Sequence, residues 1–309
     1  MNNQLDKMPA LPISAVERDT GLSKDTLRVW ERRYGFPLPG RDALGERTYP
    51  PEQVEKLRLI KRLLDQGWRP GKLMATPASD LAALLERATS ARSEPAGGDE
   101  FDALLPLIRQ HRAEELRAML SQLLIKLGLQ KFVLDIVTAF NGRIGEAWMR
   151  GEVEVFEEHL YTEQIQNVLR GAINAHMVGA HRPRVLLTTL PEEEHGLGLL
   201  MAEALLVADG AQCVSLGTRT PLSDIRSAAI ASGADVVALS FSAAYPARQA
   251  VSALNTLRST LPDQVAIWAG GGAMRDRARH VPGVRVIGDI GDTLEALQEW
   301  RSAWRSELS

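Results

Sequence analysis

At 309 residues the chain is long enough for two or three domains, and its 45% hydrophobic and 24% charged residues are those of an ordinary soluble protein. No apolar run reaches the length of a membrane span, and Met1 to Leu11 has neither the basic region nor the apolar core of a signal peptide, so a cytoplasmic protein is expected. The formal charge of −3 is unevenly spread, basic on balance over the first ninety residues and acidic beyond them, which points to a polyanion partner for the front.

Ile13 to Leu22 reads as a short helix stopped by Gly21, with Ser23 as the N-cap of a second helix from Lys24 to Tyr34 that Gly35 and Pro37 end. Two short helices joined by a glycine turn form a helix-turn-helix, whose second helix enters a major groove of double-stranded DNA. That helix carries Lys24, Thr26, Arg28, Arg32, Arg33 and Tyr34, while Leu27 and Trp30 face the core. In Arg41 to Tyr49, Gly45 sits at the tip of a hairpin, and Arg47 and Tyr49 alternate onto one face that is expected to grip phosphates. A helix from Pro51 to Gln66 completes the unit. Thr26-Leu27-Arg28-Val29-Trp30-Glu31-Arg32-Arg33-Tyr34-Gly35-Phe36-Pro37, followed by Gly45-x-Arg47-x-Tyr49, resembles the winged helix-turn-helix of MerR-family regulators. The long dimerisation helix usual after that unit is not expected here: a short run to Ala88 gives way to a linker over 89–98.

From 99 to 181 apolar residues recur every three or four positions, which predicts a four-helix bundle with helices near 99–110, 112–127, 129–150 and 152–179. Trp148 closes the third helix, and Val155, Glu158 and His159 share one face of the fourth. Over 182–309 strands at 184–190, 212–217, 235–242, 264–269 and 284–288 alternate with helices at 196–209, 222–232, 246–260, 274–280 and 291–304. Parallel βαβ units follow, hence a flavodoxin-like doubly wound sheet. The single cysteine, Cys213, excludes an internal disulfide and reads as a small buried hydrophobe.

The loop after the first of these strands, Leu190 to Gly198, contains Glu193-x-His195-x-x-Gly198. Ligands of open α/β sheets bind at such carboxyl strand ends. A carboxylate two residues before an imidazole suits a metal-ligating histidine, whose second ring nitrogen usually donates to an acid, and a glycine one turn later admits a bulky group. Small residues at two further strand ends, Ser240-Phe241-Ser242 and Gly270-Gly271-Gly272, leave a slot for an extended group. No dinucleotide fingerprint follows the first strand.

Glu193-x-His195-x-x-Gly198, Ser240-x-Ser242 and Gly270-Gly271 resemble the cobalamin-binding domain of methionine synthase and the base-off mutases. Trp148, followed after nine residues by Glu158-His159, resembles the helical cap over the upper corrin face. With a MerR-type head in front, the chain resembles the CarA/CarH/LitR group of light-responsive repressors. That resemblance implies cobalamin as cofactor, adenosylcobalamin foremost, with His195 on cobalt. It further implies a cofactor site of Trp148, Val155, Glu158, His159, Glu193, Gly198, Ser240, Ser242, Gly270 and Gly271. Operator DNA and a second copy of the chain, as dimer or tetramer, are the implied partners, and no enzymatic activity is expected. Three departures stand out: Glu193 replaces the family's aspartate, Ser242 replaces the leucine of its SxL element, and Met149 replaces the histidine that follows the cap tryptophan. A corrinoid methyl-carrier or enzyme module, and a regulator sensing another tetrapyrrole or a protein partner, are the alternative readings.

Overall fold

The computed structural model describes residues 10–65, 68–89, 98–149, 151–176, 181–274 and 281–307. The expected linker thus lies almost wholly outside the described residues, as does nearly all of the expected helix at 274–280. Two compact units form, one from Met1–Glu94 with Arg143–Val155, the other from Pro95–Gly142 with Phe156–Ser309.

The first unit begins with β1 (Leu11–Pro12), α1 (Ile13–Thr20), α2 (Lys24–Tyr34), β2 (Gly40–Arg41) and β3 (Arg47–Tyr49), followed by α3 (Pro51–Asp65), α4 (Pro70–Leu73) and α5 (Ala78–Thr89). Gly21 and Gly35 both take the left-handed conformation that ends a helix, and Ser23 Oγ accepts the Thr26 amide at 3.1 Å as the N-cap of α2. The strands form an antiparallel sheet in the order β1-β3-β2, so β3 is central. Val16, Leu27, Trp30, Tyr49, Leu57, Ile60 and Leu63 make a common core, and Arg58 grips Asp19 with two nitrogens at 2.9–3.2 Å, tying α3 to α1.

In the second unit come α6 (Gly98–Arg109), α7 (Ala113–Leu127), α8 (Leu129–Lys131), a π-helical stretch Phe132–Val137, α9 (Thr138–Met149), whose end belongs to the first unit, and α10 (Val155–His176). The expected third helix is therefore not one α-helix. Its buried residues Phe132, Ile136, Phe140 and Ile144 recur every four positions, slower than the 3.6 of an α-helix, and the wider π turn absorbs the difference.

The sheet follows: β4 (His181–Thr188), α11 (Leu197–Ala208), β5 (Ala211–Gly217), α12 (Leu222–Ser232), β6 (Val236–Ser240), α13 (Ala247–Thr260), β7 (Ala266–Gly270), β8 (Val284–Ile287) and α14 (Asp292–Glu307). All five strands are parallel, in the order β5-β4-β6-β7-β8. Val185 and Leu187 of β4 pack with Leu199, Leu206 and Leu297 from α11 and α14, whereas Leu186 packs with Ile225, Leu254 and Leu257 from α12 and α13. Both faces are covered, which is why the strands read as unbroken apolar runs. Chain order reverses between β4 and β6, and there a doubly wound sheet opens a crevice at its carboxyl edge.

Candidate cofactor and DNA sites

Glu193 sits at that crevice. It is 1% exposed, and its two oxygens reach in opposite directions. Oε1 accepts the His195 amide at 2.9 Å and faces His195 Nδ1 at 2.7 Å, while Oε2 accepts the Ser242 amide at 2.7 Å. One carboxylate thus joins the loop after β4 to the loop after β6 across the switch point. Burial pushes the Glu193 pKa up, but the hydrogen bonds from His195 and Ser242 outweigh it and hold the acid below its ordinary value. A carboxylate at Nδ1 places the ring proton there and the lone pair on Nε2. The imidazole is 68% exposed in its side chain, so it is an oriented ring presented outward rather than a core residue. Thr189 Oγ1 supports the loop by donating to the Glu193 carbonyl at 2.7 Å while accepting the Arg219 amide at 2.9 Å.

Beside these loops lies a cavity of about 660 Å³. Gly198, Ser240, Gly270 and Gly271, all expected from sequence, line it. A Cβ at Gly198 would come within 3.1 Å of Ser240 Oγ, and one at Gly270 within 3.1 Å of Ile287 Cβ, so glycine at both keeps the gap between strand ends open. Gly271 is glycine for another reason: with φ of +100°, its Cβ would meet the Phe241 carbonyl oxygen at 2.2 Å, so backbone there packs on backbone. Sequence reading missed the rest of the wall. Leu134 in the π-helical stretch, Thr138, Asn141 and Gly142 beyond it, and Gly288 to Gly291 after β8 also line the cavity. The π turn's four-residue apolar spacing and the Gly288-Asp289-Ile290-Gly291 pattern were the available signals. Cys213 is partly buried on β5 rather than fully so as expected, and burial and the Glu203 carboxylate push its thiol up to about 12.

The four expected cap residues do not line this cavity. Trp148 and Val155 belong to the first unit, where the Arg62 guanidinium lies 4.7 Å from the centre of the Trp148 ring. Glu158 accepts Thr162 Oγ1 at 2.8 Å, and exposed His159 has Nε2 3.6 Å from Glu158 Oε2. The side chain of Met149 lies outside what is described.

On the head, α2 presents Arg28, Arg32 and Arg33 as exposed, and Lys24, Thr26 and Tyr34 as half-buried. Lys24 pairs with Glu17 at 3.4 Å, Arg28 with Asp25 at 3.2 Å, and Arg33 stacks 5.3 Å from the centre of the Tyr34 ring. The wing differs from expectation. Arg47 and Tyr49 do share a face of β3, but it is the inner one: Tyr49 is fully buried, and Arg47 Nε donates to Glu31 Oε2 at 2.9 Å. In this conformation Tyr49 is a core residue and cannot touch a phosphate, and Arg47 braces the wing against α2.

A winged helix-turn-helix head, a helical bundle and a doubly wound sheet with an acid-oriented histidine at its switch point define a DNA-binding regulator with a cobalamin-binding sensor. Family models match in the same order: MerR HTH family regulatory protein over 11–73, and B12 binding domain over both 100–170 and 183–298. The HTH-type transcriptional repressor CarH of Myxococcus xanthus is 31% identical over 259 residues, 82% of this chain and 86% of that one. The HTH-type transcriptional repressor CarA of the same organism is 28% identical over 278 residues, 88% and 90% of the two chains. The chain belongs to this family of MerR-type, B12-binding transcriptional regulators. It is a cobalamin-sensing DNA-binding protein and not an enzyme, in keeping with relatives that are repressors. The monomethylamine corrinoid protein of Methanosarcina barkeri shares the fold, with a TM-score of 0.53 at 16% identity over 66% of this chain and 99% of that one.

The cavity and loops fit the cofactor. Glycines leave room at the strand ends, and Glu193 fixes an exposed imidazole beside them. His195 would hold cobalt through Nε2, and Gly198, Ser240 and Gly270 would take the extended part of the molecule. Bound there, cobalamin would supply a cobalt centre able to exchange a ligand.

Proposed function

We propose that the chain is a light-responsive repressor that holds adenosylcobalamin on His195, with domains at 1–88, 99–181 and 182–309 joined through a linker at 89–98. The observation that carries this reading is the Glu193 carboxylate, which orients His195 and clamps Ser242 in a chain that also has a winged head. Ser242 and Gly271 complete the cofactor site at the strand ends, and Trp148, Val155, Glu158 and His159, which do not line that cavity, keep the cap role that the resemblance implies. Lys24, Thr26, Arg28, Arg32, Arg33, Tyr34 and Arg47 serve operator binding, Arg47 through the wing and Tyr49 only through the core. With cofactor in the dark, copies of the chain assemble as dimer or tetramer and present several heads to one operator, so avidity raises affinity. Light disturbs the cap around Trp148, and the operator is released. The protein acts in the cytoplasm.

The test is the absorption spectrum of the purified protein with adenosylcobalamin, taken dark and lit, beside operator binding and sedimentation under both conditions. A light-dependent spectrum with loss of DNA binding is expected. A cobalamin complex whose DNA binding and mass ignore light would overturn the light-sensing reading.

A further inference from the structure

Much of the cavity wall is apolar, and one of its polar side chains is held in a single orientation. Asn141 stands on α9 just past the π-helical stretch, and its Oδ1 accepts a hydrogen bond from Tyr161 Oη at 2.8 Å. Tyr161 is 1% exposed, and burial, helped by the Glu158 carboxylate, raises its pKa well above the ordinary tyrosine value, so near neutral pH it donates. Asn141 Nδ2 then faces Met201 Sδ of α11 at 3.4 Å. The opposite amide flip would set Oδ1 against a sulfur that has no proton to give.

A thioether is a weak acceptor. An amide donor that lines a mainly apolar cavity and, among the described residues, meets sulfur alone keeps most of its capacity for a better acceptor. Pockets for small molecules have this character, an apolar wall with a few convergent polar groups that fix orientation. The π turn is what aims the residue. One extra residue per turn rotates everything after it by about 100° relative to an uninterrupted α-helix, and Leu134, Thr138, Asn141 and Gly142 all reach the cavity.

We infer that Asn141 reads the corrinoid: its Nδ2 donates to an oxygen acceptor of the bound molecule, Tyr161 positions the amide, and Met201 Sδ is a partner weak enough to be exchanged. Cobalamin carries such oxygens on the amide side chains of its corrin and on its nucleotide tail. The inference rests on cobalamin binding in this cavity and adds the residue that selects its periphery.

The full-length parent, Asn141→Asp, Tyr161→Phe and Met201→Leu are titrated by absorbance with hydroxocobalamin and with aquacobinamide, the same corrin without the tail. Asn141→Asp keeps the size and the acceptor for Tyr161 but removes the donor, and should weaken binding about tenfold or more. Tyr161→Phe should cost about threefold and Met201→Leu at most about twofold. A loss with both corrinoids places the acceptor on the corrin, and a loss with hydroxocobalamin alone places it on the tail. Melting curves without corrinoid check folding, and Asn141→Ala takes the place of the aspartate variant if that one does not fold. An Asn141 variant that binds both corrinoids as the parent does, whatever its melting temperature, overturns the role. So does a Met201→Leu that loses as much. A parent that takes up neither corrinoid overturns the cobalamin reading as well.

Discussion

Replacing Glu193 by glutamine keeps the size of the side chain and removes its charge. In the protein Oε1 serves His195 twice, through amide and ring, and Oε2 serves the Ser242 amide once. A glutamine oxygen would go to the side with two donors, which turns its NH2 toward the Ser242 N–H and leaves that amide without an acceptor. One buried donor unsatisfied costs ~1–3 kcal/mol, and two charge-assisted bonds made ordinary cost about 1 kcal/mol more, so a loss of about 3 kcal/mol is expected. Urea unfolding of the full-length protein, followed through the transition of the sheet domain, measures it. Glu194→Gln is the control, because exposed Glu194 pairs with exposed Arg219, and such surface pairs contribute ~0–1 kcal/mol. The pH dependence gives a second signature. The folded pKa of Glu193 is depressed, so its contribution is complete above the ordinary carboxyl value of about 4.5 and is lost as pH falls through the folded value. Parent and variant should therefore converge in stability below about pH 4.5. Cobalamin affinity should also drop by about 10–100-fold, the usual effect of removing the partner of a metal-ligating histidine. A Glu193→Gln protein as stable as the parent at neutral pH and equal in cobalamin binding would refute the clamp.

Other outcomes can be checked with the same protein. Arg32→Ala or Arg33→Ala should weaken operator binding and flatten its salt slope by about 0.9 for each phosphate no longer neutralised, and Arg47→Ala, already paired with Glu31, should flatten it less; equal slopes would return Arg47 to the phosphates. His195→Ala should bind cobalamin without the spectral signature of imidazole coordination, and an unchanged spectrum would make His195 an ordinary loop residue. Gly271→Ala should destabilise the sheet domain by more than ~3 kcal/mol, since its Cβ would overlap the Phe241 carbonyl, and a near-normal melt would refute that packing. Met149→His should make the lit state more persistent than in the parent, as read from the rate of dark recovery of DNA binding, because imidazole is the better cobalt ligand.

The sheet and the head were legible because their signals are local. Runs such as Val185-Leu186-Leu187 announce a strand covered on both faces, Gly21 and Gly35 mark helix ends through a left-handed backbone that glycine favours, and Ser23 marks a helix start through its capping hydroxyl. Glu193, His195, Ser240 and Gly270 were legible because the doubly wound order sends their loops to one edge. Legibility failed where a tertiary neighbour decides. Alternation puts Arg47 and Tyr49 together, but only the packing of β3 on α2 makes that face the inner one. The β1 strand has two residues, one of them Pro12, and exists because β3 offers it a partner. The far wall of the cavity comes from segments more than a hundred residues apart, Leu134 to Gly142 and Gly288 to Gly291, and no short motif joins them.

The π-helical stretch also sets a limit on how this chain can be compared or altered. Apolar positions before Phe132 and after Val137 belong to two different phases, so a helical wheel drawn from 129 to 150 misfiles one half of them. Deleting one residue within 132–137 would bring the halves back into phase as a regular α-helix and leave Thr138, Asn141 and Gly142 facing the cavity, whereas forcing a regular α-helix on the unshortened stretch would swing them by about 100°. A single-residue gap in an alignment at this point is therefore compatible with an unchanged ligand-facing surface beyond it, while an ungapped relative that lacks the π turn presents a different one.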